Sequence, residues 1–159
     1  PGLGKDGVLV ADLLKLLLKI RTRELNMASR LVARSDDLEL LAAGVRYGAG
    51  YPITPWSSIM EMLRAELPKY GGIYVQAEDE LGAVSYALGF AYAGHLSVTG
   101  SSGPGLSLKM EALGWAVMAE MPLIVINVQR GGPSTGMPTN VEQSDLLQAI
   151  YGSHGDAPR

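Results

Sequence analysis

Apolar and polar positions alternate between two periods along this chain, and the switches between them mark out its elements. Ile73, Tyr74 and Val75 form a short apolar run behind Gly71 and Gly72, the pattern of a buried strand in a parallel sheet. Leu81, Val84, Ala87, Leu88 and Ala91 then recur at helical spacing. Gly82, Gly89 and Ala93 thin that helix where a strand or another helix could come close. Leu96 to Thr99 predicts a second strand, running through the glycine loop Gly100 to Gly105 into a helix that ends near Ala119. Leu123 to Val128 is the clearest buried strand. Behind it come the loop Gln129 to Thr139 and a helix to about Ile150, with Asn140 as cap and Gln143 completing a capping box.

Upstream of this core the pattern is helical. Ser35 can cap a helix from Asp36 to about Tyr47 whose inner face is Leu38, Leu41, Ala42 and Val45. An extended piece, Ala49 to Ile53, meets a turn at Tyr51 to Pro55, where the prolines push Tyr51 and Thr54 out of helical geometry. Thr54 as cap and Pro55 as first position would start a helix to about Leu67. Residues 1–34 form a helical extension or linker, with Asp12, Lys15 and Lys19 on one side of a leucine-rich stretch, and residues 35–159 form the main domain. Strand and helix alternate throughout the main domain. The fold class is therefore α/β, a mainly parallel sheet with helices on both faces.

Composition narrows the chemistry. The 159 residues suit one domain with a real core, and a net charge of −3 without a basic run argues against nucleic acid as a partner. With no cysteine, the chain can hold neither a disulfide nor a thiolate-bound iron–sulfur cluster. The run from Val8 to Ile20 is too short and too charged to span a membrane, and no cleavage site follows it, so a cytoplasmic location is expected. A start without Met and a stop soon after a glycine-rich loop are what a piece of a longer protein would show.

Candidate chemistry gathers where strands end. Glu78, Asp79 and Glu80 fall between a strand and the first turn of a helix. One reading makes Asp79 a cap and its neighbours partners of the helix dipole. The other makes the third acid a ligand, because open α/β sheets bind at the carboxyl ends of their strands. The loop containing Ser102 and Gly103 offers N–H donors to an anion or polar ring, although Leu106 and Ser107 rule out a Walker A loop. Arg130, between a strand and a glycine loop, could fork onto a ligand carboxylate or form an internal salt bridge. His95 and His154 lack metal-ligand spacing, and His154 beside Asp156 suits a structural hydrogen bond.

Five stretches in order, YPITP, AEDE, SSGPGLSL, VQRGGPSTGMPT and EQSDLLQAIYGSHGDAPR, closely resemble the α subunit of 2-oxoacid:ferredoxin oxidoreductases, from about Leu31 to the last residue. The resemblance implies a thiamine diphosphate pyrimidine-binding domain, with the cofactor shared with a β subunit that carries Mg²⁺ and an iron–sulfur cluster. It implies oxidative decarboxylation of a 2-oxoacid such as pyruvate or 2-oxoglutarate, with coenzyme A as acyl acceptor and ferredoxin as electron acceptor. Glu80 would then hydrogen-bond the aminopyrimidine nitrogen, favouring the imino form that removes the thiazolium proton. Ser102 and Gly103 would contact the cofactor; Thr54, Arg130 and Thr139 would hold the substrate, Arg130 also facing developing alkoxide charge. No metal ligand is implied on this chain. Trp56 and Ser58 stand where members commonly have a serine and an acid, and Trp56 is expected to reshape the entrance or a subunit contact. Two rivals remain: another thiamine diphosphate enzyme of transketolase-like type, and a non-catalytic anion-binding or scaffold module.

Overall fold

The computed structural model describes residues 44–155. In chain order these give β1 (Tyr47–Gly50), α1 (Trp56–Glu66), a 3-10 turn (Leu67–Tyr70), β2 (Ile73–Gln76), α2 (Glu80–Tyr92), β3 (Ser97–Ser101), α3 (Pro104–Met118), β4 (Leu123–Asn127) and α4 (Leu146–Tyr151). The four strands form one sheet in the order β2-β1-β3-β4, and every pairing is parallel. The helical extension at 1–34, the boundary at 34/35 and most of the helix expected from Asp36 lie outside the described residues. Tyr47, the expected end of that helix, instead opens β1. It pairs with Ile73 on one side and Ser97 on the other.

The two central strands are the least aliphatic. β1 reads YGAG and β3 reads SVTGS, and every residue of β3 is buried. Their small side chains leave room that other elements fill. A Cβ on Gly100 would land on the six-membered ring of Trp56, and one on Gly50 would meet the Tyr74 hydroxyl. Two aromatics therefore lie flat on the sheet over glycine, and the bulk of this layer comes from α1 and from β2 beside it. Trp56 is fully buried in a cluster with Val45, Ile59, Met60, Leu63, Val98 and Ile126. It is a core residue and does not shape an entrance. With its Oη buried, Tyr74 has its phenol pKa pushed above the usual range by desolvation.

The opposite face carries α2 and α3. Val84 and Leu88 of α2 meet Ala112 and Ala116 of α3 in a second apolar cluster, which Met121 and Leu123 border. Ser97 donates from Oγ to the Ala87 carbonyl at 2.6 Å, pinning α2 to the sheet. Ala83 replaces Leu81 on the inner face, Leu81 being half exposed, because the helix starts at Glu80 and its buried stripe is set from there. Among the described residues nothing lies within 4 Å of a Cβ at Gly89, so no described element makes a close approach there. The outer described strands are less buried than their apolar sequences imply: Ile73 is 50% exposed, and only Ile126 of β4 is fully covered. Being outermost removes cover from one flank.

Two helix starts differ from expectation. Pro55, not Thr54, occupies the cap position of α1, and the Ser57 N–H is satisfied by the Ile53 carbonyl at 3.0 Å. Asn140 caps nothing, and Gln143 completes no capping box. The Asn140 carbonyl accepts from Gly131 N at 2.7 Å, which closes the loop before it, so α4 starts only after Asp145.

Gly100→Ala should destabilise the protein by about 1–3 kcal/mol, the usual cost of overpacking a filled core. In chemical denaturation, the double variant with Trp56→Leu should recover part of that loss. Strict additivity of the two substitutions would show that the ring does not fill the space above Gly100.

Candidate active site

In a parallel sheet every strand points its carboxyl end to the same edge. From β1 the chain crosses by α1 to β2 on one side, whereas from β3 it crosses by α3 to β4 on the other, with α1 and α3 on opposite faces. The connections diverge between β1 and β3, and such a divergence opens a crevice at the carboxyl edge. Each strand delivers a candidate or two there: Thr54 follows β1, Glu80 follows β2, Ser102 and Gly103 follow β3, and Arg130 follows β4.

The three acids after β2 separate cleanly. Glu78 is exposed. Asp79 caps α2, its carboxylate accepting from Gly82 N at 2.6 Å. Glu80, the first residue of the helix, is buried at 6% exposure. The capping reading thus holds for Asp79. Gly105 borders the Glu80 side chain so closely that a Cβ there would meet the Ser101 hydroxyl and lie 2.6 Å from Glu80 Oε1. The Ser101 and Ser102 hydroxyls are buried without a partner among the described residues. A buried carboxylate beside two hydroxyls that lack partners among the described residues is a polar cluster left for a ligand or partner to satisfy.

Lys109 is the site residue that sequence reading missed. It is fully buried, and its ammonium donates to the Glu80 main-chain carbonyl at 3.1 Å and to Thr99 Oγ1 at 3.2 Å. Burial pulls its pKa down to about 8, while the Glu80 and Asp79 carboxylates oppose the fall. A signal was present: Gly105, Leu106, Lys109, Ala112 and Ala116 make the buried stripe of α3, and Lys109 is its one charge.

Arg130 is buried, and its described partners are main-chain carbonyls, not the carboxylate of an internal salt bridge. Nη1 donates to the Thr54 carbonyl at 3.0 Å, and Nη2 donates to the carbonyls of Ser134 and Thr135 at 3.1 and 3.2 Å. It latches the loop after β1 to the loop after β4. Gly103, at φ +42°, lets the loop after β3 turn beside the same side chain, and a Cβ there would stand 3.7 Å from Arg130 Cγ. Nε remains buried without a partner among the described residues. Glu80, Ser102, Gly103, Arg130 and Thr54 therefore share one edge. Thr139 is exposed farther along the loop and joins none of these contacts. Asp145, also missed, accepts from Asn127 Nδ2 at 2.7 Å and so ties α4 to the end of β4. His154 lies beside Gly114 of α3, and its expected neighbour Asp156 is outside the described residues. Among the described residues no group of three His, Cys, Asp or Glu could hold a metal ion, and no helix is long and apolar enough to cross a membrane.

Residues 40–158 match the family described as pyruvate flavodoxin/ferredoxin oxidoreductase, thiamine diphosphate-binding. The chain is 50% identical over 116 residues to the 2-oxoglutarate synthase subunit KorA of Methanocaldococcus jannaschii, covering 73% of this chain and 32% of that protein. It is 58% identical over 108 residues to the 2-oxoglutarate oxidoreductase subunit KorA of Mycobacterium tuberculosis, covering 68% and 16%. Among solved structures, a 2-oxoglutarate:ferredoxin oxidoreductase from Magnetococcus marinus, with 2-oxoglutarate, coenzyme A and succinyl-CoA bound, superposes with a TM-score of 0.70 at 53% identity. That match covers 72% of this chain and 20% of the other. The chain spans about a third or less of the length of these relatives.

Two outcomes test this geometry. In Arg130→Lys, one ammonium cannot reach carbonyls on both loops, so stability should fall by about 1–3 kcal/mol and limited proteolysis within 131–140 should accelerate. Unchanged cleavage would contradict the latch. For Lys109 the folded pKa of about 8 lies below the ordinary 10.5, so between those values the unfolded chain binds more protons and folding strengthens as pH rises. Relative to Lys109→Met, the protein should gain on the order of 3 kcal/mol in urea denaturation between pH 7 and pH 10.5. No relative gain would mean that the ammonium is not desolvated.

Proposed function

This chain belongs to the thiamine diphosphate-binding family of pyruvate flavodoxin/ferredoxin oxidoreductases, and from that membership we propose that it forms the pyrimidine-binding part of the α subunit of a 2-oxoacid:ferredoxin oxidoreductase. The enzyme would decarboxylate a 2-oxoacid oxidatively, transfer the acyl unit to coenzyme A and pass electrons to ferredoxin. The observation that carries this reading is the burial of Glu80 at the carboxyl edge of the sheet, beside two serine hydroxyls without a partner among the described residues. Relatives named for 2-oxoglutarate make that acid the first substrate to test.

Thiamine diphosphate supplies a carbon nucleophile for the 2-oxo group and a sink for the electrons left by decarboxylation. Each residue of this chain has a part that follows from its position. Glu80 holds a proton at the pyrimidine ring nitrogen, and its burial strengthens that bond by removing competing water. Ser102 and Gly103 border the ring through the loop after β3. Arg130 and Thr54 face the substrate from the adjoining loops: the latch fixes both, and Arg130 Nε, without a partner among the described residues, is a donor for an oxygen that gains charge. Thr139, exposed on the loop that Arg130 anchors, completes the substrate-facing set. The β subunit would supply the diphosphate-binding half, Mg²⁺ and an iron–sulfur cluster; these 159 residues hold no cysteine to ligate one. The assembled enzyme would be cytoplasmic.

In the complex of full-length α chain and partner, Glu80→Gln should cut 2-oxoglutarate-dependent reduction of a viologen dye by about 100-fold or more while subunit assembly is unchanged. Full turnover by that variant would overturn the proposal.

A further inference from the structure

Ser101 carries a buried hydroxyl to which the chemistry above gives no role. Alternation along β3 puts Ser97, Thr99 and Ser101 on one face of the sheet, the face that α2 and α3 cover. The first two have partners there: Ser97 Oγ donates to the Ala87 carbonyl at 2.6 Å, and Thr99 Oγ1 accepts from Lys109 Nζ at 3.2 Å. Ser101, 1% exposed at the end of the strand, has none among the described residues. A hydroxyl taken out of water without a bond lowers stability in a way that alanine would not, so a serine at this place needs a partner to explain it. One acceptor lies across Gly105, the carboxylate of Glu80. A Cβ at that glycine would meet the Ser101 hydroxyl and stand 2.6 Å from Glu80 Oε1 and 3.0 Å from its Cγ, so both side chains border the gap that Gly105 leaves. Lys109, which also reaches Glu80, ends on the main-chain carbonyl at 3.1 Å and leaves the carboxylate to another donor.

We propose that Ser101 is a positioning residue for Glu80: with the cofactor bound, its hydroxyl donates to Oε1 and holds the carboxylate with its other oxygen toward the aminopyrimidine. The inference rests on the reading of Glu80 as the acid that faces that ring. A glutamate side chain turns about three bonds, and either of its oxygens can accept. Ser101, by contrast, is set in the sheet: it pairs with Asn127 of β4, and its carbonyl accepts from Val128 N at 2.9 Å. Its Oγ is therefore a fixed point from which a mobile carboxylate can be aimed. Holding Glu80 in this way removes freedom that binding would otherwise have to remove, and the gain appears as affinity for a ring with a nitrogen in that place. Ser101 does not touch the ring; it acts through Glu80.

Calorimetry on the cofactor-free complex of full-length α chain and partner tests this, with thiamine diphosphate and with an analogue bearing carbon in place of the ring nitrogen that meets Glu80. The parent protein should bind thiamine diphosphate more tightly than the analogue. In Ser101→Ala that preference should shrink by about tenfold, the loss of one hydrogen bond to a charged group, while affinity for the analogue is unchanged. Should the Ala variant fail to assemble, Ser101→Cys, close in volume and only a weak donor, carries the comparison. In a Glu80→Ala background the same substitution should change neither affinity. Equal loss of both ligands would mark the hydroxyl as merely structural, a full preference kept without it would show that Glu80 needs no such hold, and a further loss of preference in the Glu80→Ala background would mean that Ser101 meets the ring itself; each of these results overturns the inference. A parent protein that does not distinguish the two ligands would instead overturn the role given to Glu80.

Discussion

Removing a carboxylate from water is expensive, and at Glu80 the cost is met by arrangement. The residue sits at the positive end of α2, above a fully buried lysine that reaches it from α3. Because β2 lies at one end of the described sheet and Lys109 is carried on the helix after β3, the pair exists only once the parallel sheet has formed across β1. Site and fold are thus a single problem in electrostatics.

The same economy of space governs the core. Gly48, Gly50 and Gly100 would be poor strand residues in isolation, since glycine brings entropy cost and no packing. Here their missing side chains admit Trp56 and Tyr74. Small residues also bring the strand ends close enough for the loops beyond to touch. Arg130 then ties two of those loops through carbonyl oxygens, and carbonyls require its position without consuming its charge.

Much of this was legible from residues alone. The alternation of short apolar runs with helical stripes gave the α/β class, and the strand positions of Ile73, Leu96 and Leu123 fall within a residue of those observed. Only the second half of β1 fell in the extended piece expected from Ala49; Tyr47 and Gly48 were hidden because YGAG has neither β-branched residues nor alternation, and its identity depends on neighbours on both sides. Burial was overestimated for the aliphatic strands because it depends on strand order. Aliphatic β2 and β4 lie outermost in the described sheet, while the Ser- and Thr-bearing β3 is covered completely. At the site, Glu80 and Arg130 could be found because charge beside a strand end is uncommon. Lys109 stood in the middle of a helix, and it becomes conspicuous only when the helix face to which it belongs is known.

The proton-holding role of Glu80 is the claim on which the functional reading stands, and it can be seen directly. A high-resolution structure of the full α chain assembled with its partner and thiamine diphosphate should place a Glu80 carboxylate oxygen about 2.6–3.0 Å from the aminopyrimidine ring nitrogen, with Lys109 still on the Glu80 carbonyl. A cofactor whose ring nitrogen met water or another residue, with Glu80 turned away, would contradict it.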